Sequence, residues 1–282
     1  MRSMVCVDLF MDRLAAIEVH KGELRRWVVA PIVSGTQTNG DPSDPARLAS
    51  ELRRALDRAG IQARRARFTL ADQAAVIRYV RLPKMRAREL AKAMAFVAER
   101  ELPFPADRAR VSWRVVADTG DGLEVCLGAA WQDVVARLQQ VATLAGLKPE
   151  VVEPRSLCIS RALDSEEATM LDMGPNSVHL TLLQRGRPPF SEARQLEPSD
   201  LADGVGGSLG SLMQEAARRR PTTQSVPPNL IVAGGLEMIL DDLALPARRA
   251  SHVLNGHRPL RPADFPAEHY IAALGLAMWS DA

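Results

Sequence analysis

Val5-Cys6-Val7-Asp8, followed by Leu14-Ala15-Ala16-Ile17-Glu18-Val19 and a turn at Gly22, has a counterpart later in the chain. There Met170-Leu171-Asp172 is followed by Val178-His179-Leu180-Thr181-Leu182-Leu183 and a turn at Gly186. The intervals agree, since 172 − 8 and 186 − 22 are both 164. Each copy reads as a short apolar strand ending in an aspartate, a turn, a second strand, a glycine turn and a third strand. Leu24–Ala30 and Phe190–Leu196 supply the third strands. Two similar halves, each opening with a three-strand meander ahead of helices, predict a duplicated α/β fold. A cleft would then lie between two acidic hairpin turns.

Outward from the first meander, Asp44-Pro45 starts a helix with a side-chain cap and a ring already set for the first turn. Leu48, Leu52, Ala55, Leu56 and Ala59 give it one apolar face, and Gly60 stops it. Strands are predicted at Ala66–Leu70 and Val76–Leu82, then a helix from Arg86 to Glu101 with Leu90, Ala93, Met94 and Val97 inward. Pro103 and Pro105 end that helix. Val111–Ala117 and Leu123–Ala129 form a hairpin around Gly120-Asp121-Gly122. A helix over Gln132–Ala145, a strand over Glu150–Glu153 and a short helix over Arg155–Leu163 follow. Beyond the second meander come a helix (Leu201–Arg219), a polar Pro-rich stretch (Pro221–Pro228) and a strand (Leu230–Ala233). A helix (Glu237–Leu243), a strand near Arg248–His252 and a closing helix (His269–Trp279) complete the reading.

Composition narrows the function classes. The 282 residues carry 36 basic and 34 acidic side chains, a net +2, so a protein that coats nucleic acid through overall positive charge is excluded. Only four Trp, two Tyr and six Phe are present, too few for base-stacking platforms. Charge is uneven: Arg47 to Arg114 holds 17 basic and 7 acidic residues, a local +10. Solvated helix faces account for much of that, and a face for an acidic partner or anionic lipid is the sharper reading. Cys6, Cys126 and Cys158 lie in apolar surroundings with no CxxC, which fits small buried thiols in a reducing compartment. Asp8 and Asp12 interrupt any secretory apolar core, and no run approaches the ~20 apolar residues of a membrane span. The expected location is cytoplasmic.

The stretch Val76-Ile-Arg-Tyr-Val-Arg-Leu-Pro-Lys-Met-Arg-Ala-Arg-Glu-Leu-Ala-Lys-Ala-Met-Ala-Phe-Val-Ala-Glu-Arg-Glu-Leu-Pro-Phe-Pro105 resembles the PilM family of type IV pilus assembly proteins, actin-like proteins related to FtsA. It is similar to that family's strand ending in R-x-L-P-x-M and helix ending in E-x-x-x-P-F-P. Ala145-Gly146-Leu147, the strand into Val152-Glu153-Pro154 and Tyr270–Ala277 also resemble family sections. The resemblance implies an α/β, actin-like (ribonuclease H-like) fold of duplicated halves with an inserted small α+β subdomain. The expected division is 1–75 as the first half, 76–150 as the insert and 151–282 as the second half, lacking most of an insertion of its own.

Actin-like proteins hold ATP and Mg²⁺ between two Asp-led, Gly-rich hairpins, with a Gly-Gly turn at the adenosine. The resemblance carries these roles to Asp8, Asp172, Gly174, Gly234 and Gly235. Backbone N–H groups bind an anion only where no side chain blocks the approach. Here the first hairpin departs from the family, because Leu9-Phe10-Met11-Asp12-Arg13 stands where glycine and small hydroxyl residues are expected. By the 164-residue offset Phe10 matches Gly174, so a benzyl group and a second carboxylate crowd the seat of a triphosphate. In the second hairpin Pro175 removes one donor. Asp8 and Asp172 also read as ordinary turn residues bonding their own backbone.

Other constellations carry less. Gly204–Gly210 lacks dinucleotide-binding spacing and reads as close helix packing or a flexible helix start. His20, His179, His252, His257 and His269 have no metal-ligand spacing. No catalytic residue and no metal site is expected. The reading is a non-catalytic scaffold of a pilus or related filament machine at the inner membrane's cytoplasmic face, with no cofactor, weak binding of ATP and Mg²⁺ standing as the alternative. The resemblance implies that it binds the N-terminal tail of a PilN-like membrane protein, alongside other pilus-machine proteins, and no nucleic acid. Arg78, Arg81, Phe96 and Phe104 are the candidate groove residues, Phe96 and Phe104 reading more readily as core. Two other readings stand beside it: an actin-like ATPase with an atypical pocket, and the cytoplasmic part of a type II secretion platform, which would carry a trailing membrane span.

Overall fold

The first meander forms because short turns join strands whose first two are near-continuous apolar runs buried on both faces. In the computed structural model, which describes residues 3–38, 40–197, 205–219, 229–234, 247–256 and 259–279, these are β1 (Met4–Phe10), β2 (Arg13–His20) and β3 (Glu23–Pro31). The β2–β3 turn takes left-handed backbone at Lys21 (φ 52°) and Gly22 (φ 82°). A small ladder of β4 (Gln37–Thr38) and β5 (Asp41–Pro42) leads to α1 (Pro45–Arg58), whose Arg47 N–H donates to the Asp44 cap at 3.0 Å. β6 (Arg65–Leu70) then pairs parallel with β1.

The insert follows: β7 (Ala75–Pro83), α2 (Ala87–Glu101), β8 (Ala109–Asp118) and β9 (Gly122–Trp131). Its sheet runs β7-β9-β8, and α2 packs on it through Leu90, Met94 and Val97 against Val80, Val125 and Leu127. α3 (Gln132–Leu144) and β10 (Lys148–Pro154) are not part of this unit. Val134, Leu138 and Val141 of α3 sit in the same core as Leu52, Leu56 and Phe68, and β10 pairs with β6. The small subdomain is therefore Ala75–Trp131, shorter than the expected 76–150. The apolar stripe of α3 announces a helix and says nothing of which core receives it.

α4 (Arg155–Ala162) leads into the second sheet: β11 (Ala168–Met173), β12 (Ser177–Leu183), β13 (Phe190–Gln195), then α5 (Val205–Arg219), β14 (Leu230–Gly234) and β15 (Ala247–Arg249). The two large sheets share one topology. Their orders are β3-β2-β1-β6-β10 and β13-β12-β11-β14-β15. The register repeats as well: Asp8↔Ala15, Glu18↔Arg26 and Val5↔Ala66 recur, 164 residues on, as Asp172↔His179, Leu182↔Phe190 and Thr169↔Leu230. This is the duplicated actin-like architecture.

α6 (Ile271–Ala277) ties the halves together. It packs with α4 and against β1, β2 and β6 of the first sheet, in one core that holds Cys6 and Ile17 together with Met170 and Ile231 of the second sheet. Its Gly275 lies so close to α4 that an added Cβ would strike the Cys158 carbonyl. Arg67 of β6 donates to the Leu276 and Trp279 carbonyls at 2.9 and 3.0 Å. By contrast, Gly207 and Gly210 of α5 meet nothing within 4 Å of an added Cβ, so close packing does not explain them. The predicted helix at Glu237–Leu243 and the polar stretch 221–228 lie outside the described residues. No described helix is long and apolar enough to cross a membrane.

Candidate functional site

β1 and β11, the repeat-related first strands of the two sheets, each deliver an aspartate to the interface of the halves. Asp8 and Asp172 are both about 1% exposed. Neither bonds its own turn. Asp8 accepts from Thr69 Oγ1 at 2.7 Å and from Arg155 Nε at 3.0 and 3.1 Å. Asp172 accepts from Arg13 Nη2 at 2.9 Å and from Arg155 Nη2. Arg155, at the start of α4, thus bridges the two repeat-related carboxylates at 3% exposure.

The hairpin tip between β1 and β2 completes the cluster. Arg13 reaches the second half, donating to Asp172 and, through Nη1, to the Met173 carbonyl at 3.2 Å. Asp12 accepts from the Asn176 backbone N–H at 2.5 Å and from Ser177 Oγ at 2.8 Å. Phe10 lies under both guanidiniums, 4.3 Å from Arg155 and 5.5 Å from Arg13, and meets the His179 ring edge-on at 5.6 Å. His179 Nδ1 lies 2.9 Å from Arg155 Nη1, so Nδ1 is the acceptor and the ring proton sits on Nε2, facing Asp72 at 3.4 Å. Asp72 also holds the Ser156 hydroxyl and N–H at 2.6 and 3.1 Å.

The electrostatics follow from burial and pairing. Burial alone would raise the Asp172 pKa, but Arg13 and Arg155 outweigh it and hold the carboxyl far below its ordinary range. Burial opposes charge on Arg155 too, and Asp8 and Asp172 still push its pKa above the usual arginine value. Asp72 is likewise held low, against burial, by His179 and Ser156. Beside the cluster, Leu9, Phe10, Asp72, Arg155 and His179 border a recess of about 10 Å³, room for a single water. Among the described residues no group of His, Cys, Asp and Glu is arranged to hold a metal ion.

The residues assigned to a nucleotide by resemblance are brought together but otherwise engaged. Asp8 and Asp172 are salt-bridged internally. Gly174 is where Asp12 enters, since an added Cβ would land on the Asp12 carboxylate. Gly234, at the end of β14 with φ 76°, is pressed onto the Met173 carbonyl, where a Cβ would clash. Gly235 lies outside the described residues. Sequence reading missed Arg13, Arg155 and His179. Arg13 had a signal, a cation at the tip of a hairpin where small residues were expected, while Arg155 had none.

The four groove candidates are not brought together. Arg78 and Arg81 stand three apart on β7, so the pleat sends them to opposite faces. Phe96 is 71% exposed on α2, away from the buried Leu90, Met94 and Val97, so it is not core. Phe104 is half-buried and stacks on Trp131 with centroids 4.3 Å apart. Beyond Phe96, the insert exposes Val111, Val115 and Val116 on its edge strand β8.

The family model of the type IV pilus assembly protein PilM matches residues 8–195. The fold is similar to that in a PilM–PilN type IV pilus biogenesis complex, at 22% identity and TM-score 0.75 over 98% of this chain and 97% of that one. It is also similar to the cytoplasmic domain of EpsL, an inner-membrane component of the Vibrio cholerae type II secretion system (12% identity, TM-score 0.53, 99% and 96% covered). A third likeness is to the ethanolamine utilization protein EutJ from Carboxydothermus hydrogenoformans (12%, TM-score 0.53, 99% and 90% covered). No curated protein matches the chain.

Proposed function

Because this chain belongs to the PilM family of type IV pilus assembly proteins, we propose that it works as a non-catalytic actin-like scaffold that binds the N-terminal tail of a PilN-like membrane partner. One observation carries the non-catalytic part. The space between the aspartate-led hairpins is taken by Phe10, Asp12, Arg13 and Arg155, all buried: Arg13 and Arg155 bond Asp172, Arg155 also bonds Asp8, Asp12 bonds Ser177, and Phe10 lies under both guanidiniums. A triphosphate entering there would have to break the two Arg155 bridges and approach three buried carboxylates, Asp8, Asp12 and Asp172. A fold fit for nucleotide does not make a site fit for it.

Partner binding draws its support from the insert. Its core is small, its edge strand β8 is exposed along most of its length, and Phe96, Val111, Val115 and Val116 offer apolar surface. Arg110 and Arg114 are exposed on the same strand. An extended peptide with acidic and apolar residues suits such a surface. In this reading the protein is held at the cytoplasmic face of the inner membrane through that partner, with other pilus-machine proteins as further contacts. The ATPase alternative requires the cluster to come apart when nucleotide binds.

The test is retention of the chain by an immobilised synthetic peptide carrying the N-terminal cytoplasmic tail of a PilN-like protein from the same organism. Wild type should be retained, and Phe96→Asp with Val111→Asp should weaken retention at least tenfold without changing the melting temperature. Failure of wild type to bind any such tail would overturn the partner assignment. ATP hydrolysis above background, abolished by Asp172→Asn, would overturn the non-catalytic one.

A further inference from the structure

The second hairpin, Met173 to Ser177, has the makings of an anion seat. Gly174 has no side chain to obstruct it, the Asn176 N–H and the Ser177 hydroxyl point the same way, and the hairpin is closed by Gly174 N–H to the Ser177 carbonyl at 2.9 Å. One anion already meets those donors. The Asp12 carboxylate, on a residue 9% exposed, accepts from Asn176 N–H through Oδ2 and from Ser177 Oγ through Oδ1. An added Cβ on Gly174 would collide with Asp12 Oδ1, so the glycine is required by that approach. Asp12 is held in place from its own half, its carbonyl accepting from Ile32 N–H at 2.8 Å while Gln37 bonds the Met11 carbonyl at 2.7 Å.

We propose that the second hairpin is an anion-binding site whose resident ligand is the chain's own Asp12 carboxylate. Bidentate engagement of Asn176 and Ser177 by a tethered carboxylate does what a bound anion would otherwise do: it joins the tip of the first half to the tip of the second. Because the anion belongs to the chain, its effective concentration is fixed and the junction needs no soluble ligand. Arg13, the next residue, makes the reciprocal reach to Asp172. The tip of one hairpin therefore presents an anion and a cation to the other. The inference rests on the scaffold reading, in which the halves are joined without nucleotide.

Chemical rescue tests it. Asp12→Ala removes a group of formate's size and leaves the donors of Asn176 and Ser177 in place. The variant's melting temperature is followed as sodium formate replaces sodium chloride at constant ionic strength. The expected result is a rise of at least ~2 °C that saturates with formate, since a ligand that binds only the folded state raises its stability. Inorganic phosphate is the second arm: a saturating rise there as well shows that the vacated seat accepts the larger oxyanion. No phosphate effect limits the seat to carboxylates and leaves the formate result deciding. Wild type and Asp12→Asn, whose seats remain filled, should show no formate-specific rise. If Asp12→Ala does not fold in chloride, the yield of refolded protein in formate against chloride is read instead. The proposal is overturned if formate does nothing for Asp12→Ala, or if all three proteins respond alike. Titration of wild type with Mg-ATP separates the two levels. Tight binding there removes the scaffold reading, whereas absent rescue with no ATP binding removes only this inference.

Discussion

Arg155→Ala is the substitution that asks most of the inter-half cluster. In wild type the guanidinium spans Asp8 and Asp172, both about 1% exposed. Its removal has unequal consequences. Asp172 keeps two bonds from Arg13, but Asp8 is left with the Thr69 hydroxyl alone. Breaking a buried ion pair by deleting one partner costs about 3–5 kcal/mol, because the survivor is a charge without solvent or counter-ion. That is a large part of the ~5–15 kcal/mol that usually stabilises a domain. At about 2–4 °C per kcal/mol the melting temperature should drop by roughly 6–20 °C. Equilibrium urea unfolding, followed by circular dichroism, measures the loss directly. The asymmetry gives a sharper check. Asp8→Asn added to Arg155→Ala should recover more stability than Asp172→Asn added to it, since only Asp8 is orphaned. A loss under ~1 kcal/mol, or equal recovery by the two asparagines, would refute the idea that these charges depend on Arg155.

Other expectations follow from the same geometry. Asp172 has a folded-state pKa depressed by Arg13 and Arg155, so its contribution is complete above the ordinary carboxylate pKa of about 3.9 and is lost as pH falls toward the depressed value. Urea unfolding between neutral and acid pH should show stability falling below about pH 4, and Asp172→Asn should flatten that fall. Gly275→Ala should destabilise the protein by about 1–3 kcal/mol, because the new methyl is driven into the Cys158 carbonyl where α6 crosses α4. The thermal midpoint reads this, and an unchanged midpoint would show that the crossing has slack. Burial pushes the Cys6 thiol up to about 12, raises Cys158 well above its ordinary value and raises Cys126 to about 11. A thiol reagent at mildly alkaline pH should therefore label the native chain slowly and the urea-unfolded chain at all three cysteines.

Much of this architecture is written locally in the chain. The 164-residue offset between the Asp8 and Asp172 meanders carries through to strand register, because β1 and β11 each separate two cores and a slip of one residue would exchange the faces, moving Val7 into the core of Cys6 and Leu171 into that of Met170. The crowding of the cleft is legible for a similar reason: the offset sets Phe10 against Gly174 and Asp12 against Asn176. Arg155 is not legible, since its partners lie 147 and 17 residues away and nothing beside it in the sequence marks a buried cation. His179 is hidden by its strand, where an isolated histidine between apolar residues reads as core. The extent of the insert is obscured by α3, which continues the chain from β9 without a break yet turns its apolar face to the first half's core. Residue type alone marks the groove candidates in the sequence, and the pleat of β7 sets Arg78 and Arg81 on opposite faces.

Calorimetric titration of the wild-type chain with Mg-ATP is the most direct trial of the central claim, that the cleft between the halves is occupied by the protein's own side chains. The account predicts no saturable heat up to millimolar nucleotide. A micromolar dissociation constant, weakened by Asp172→Asn, would contradict it.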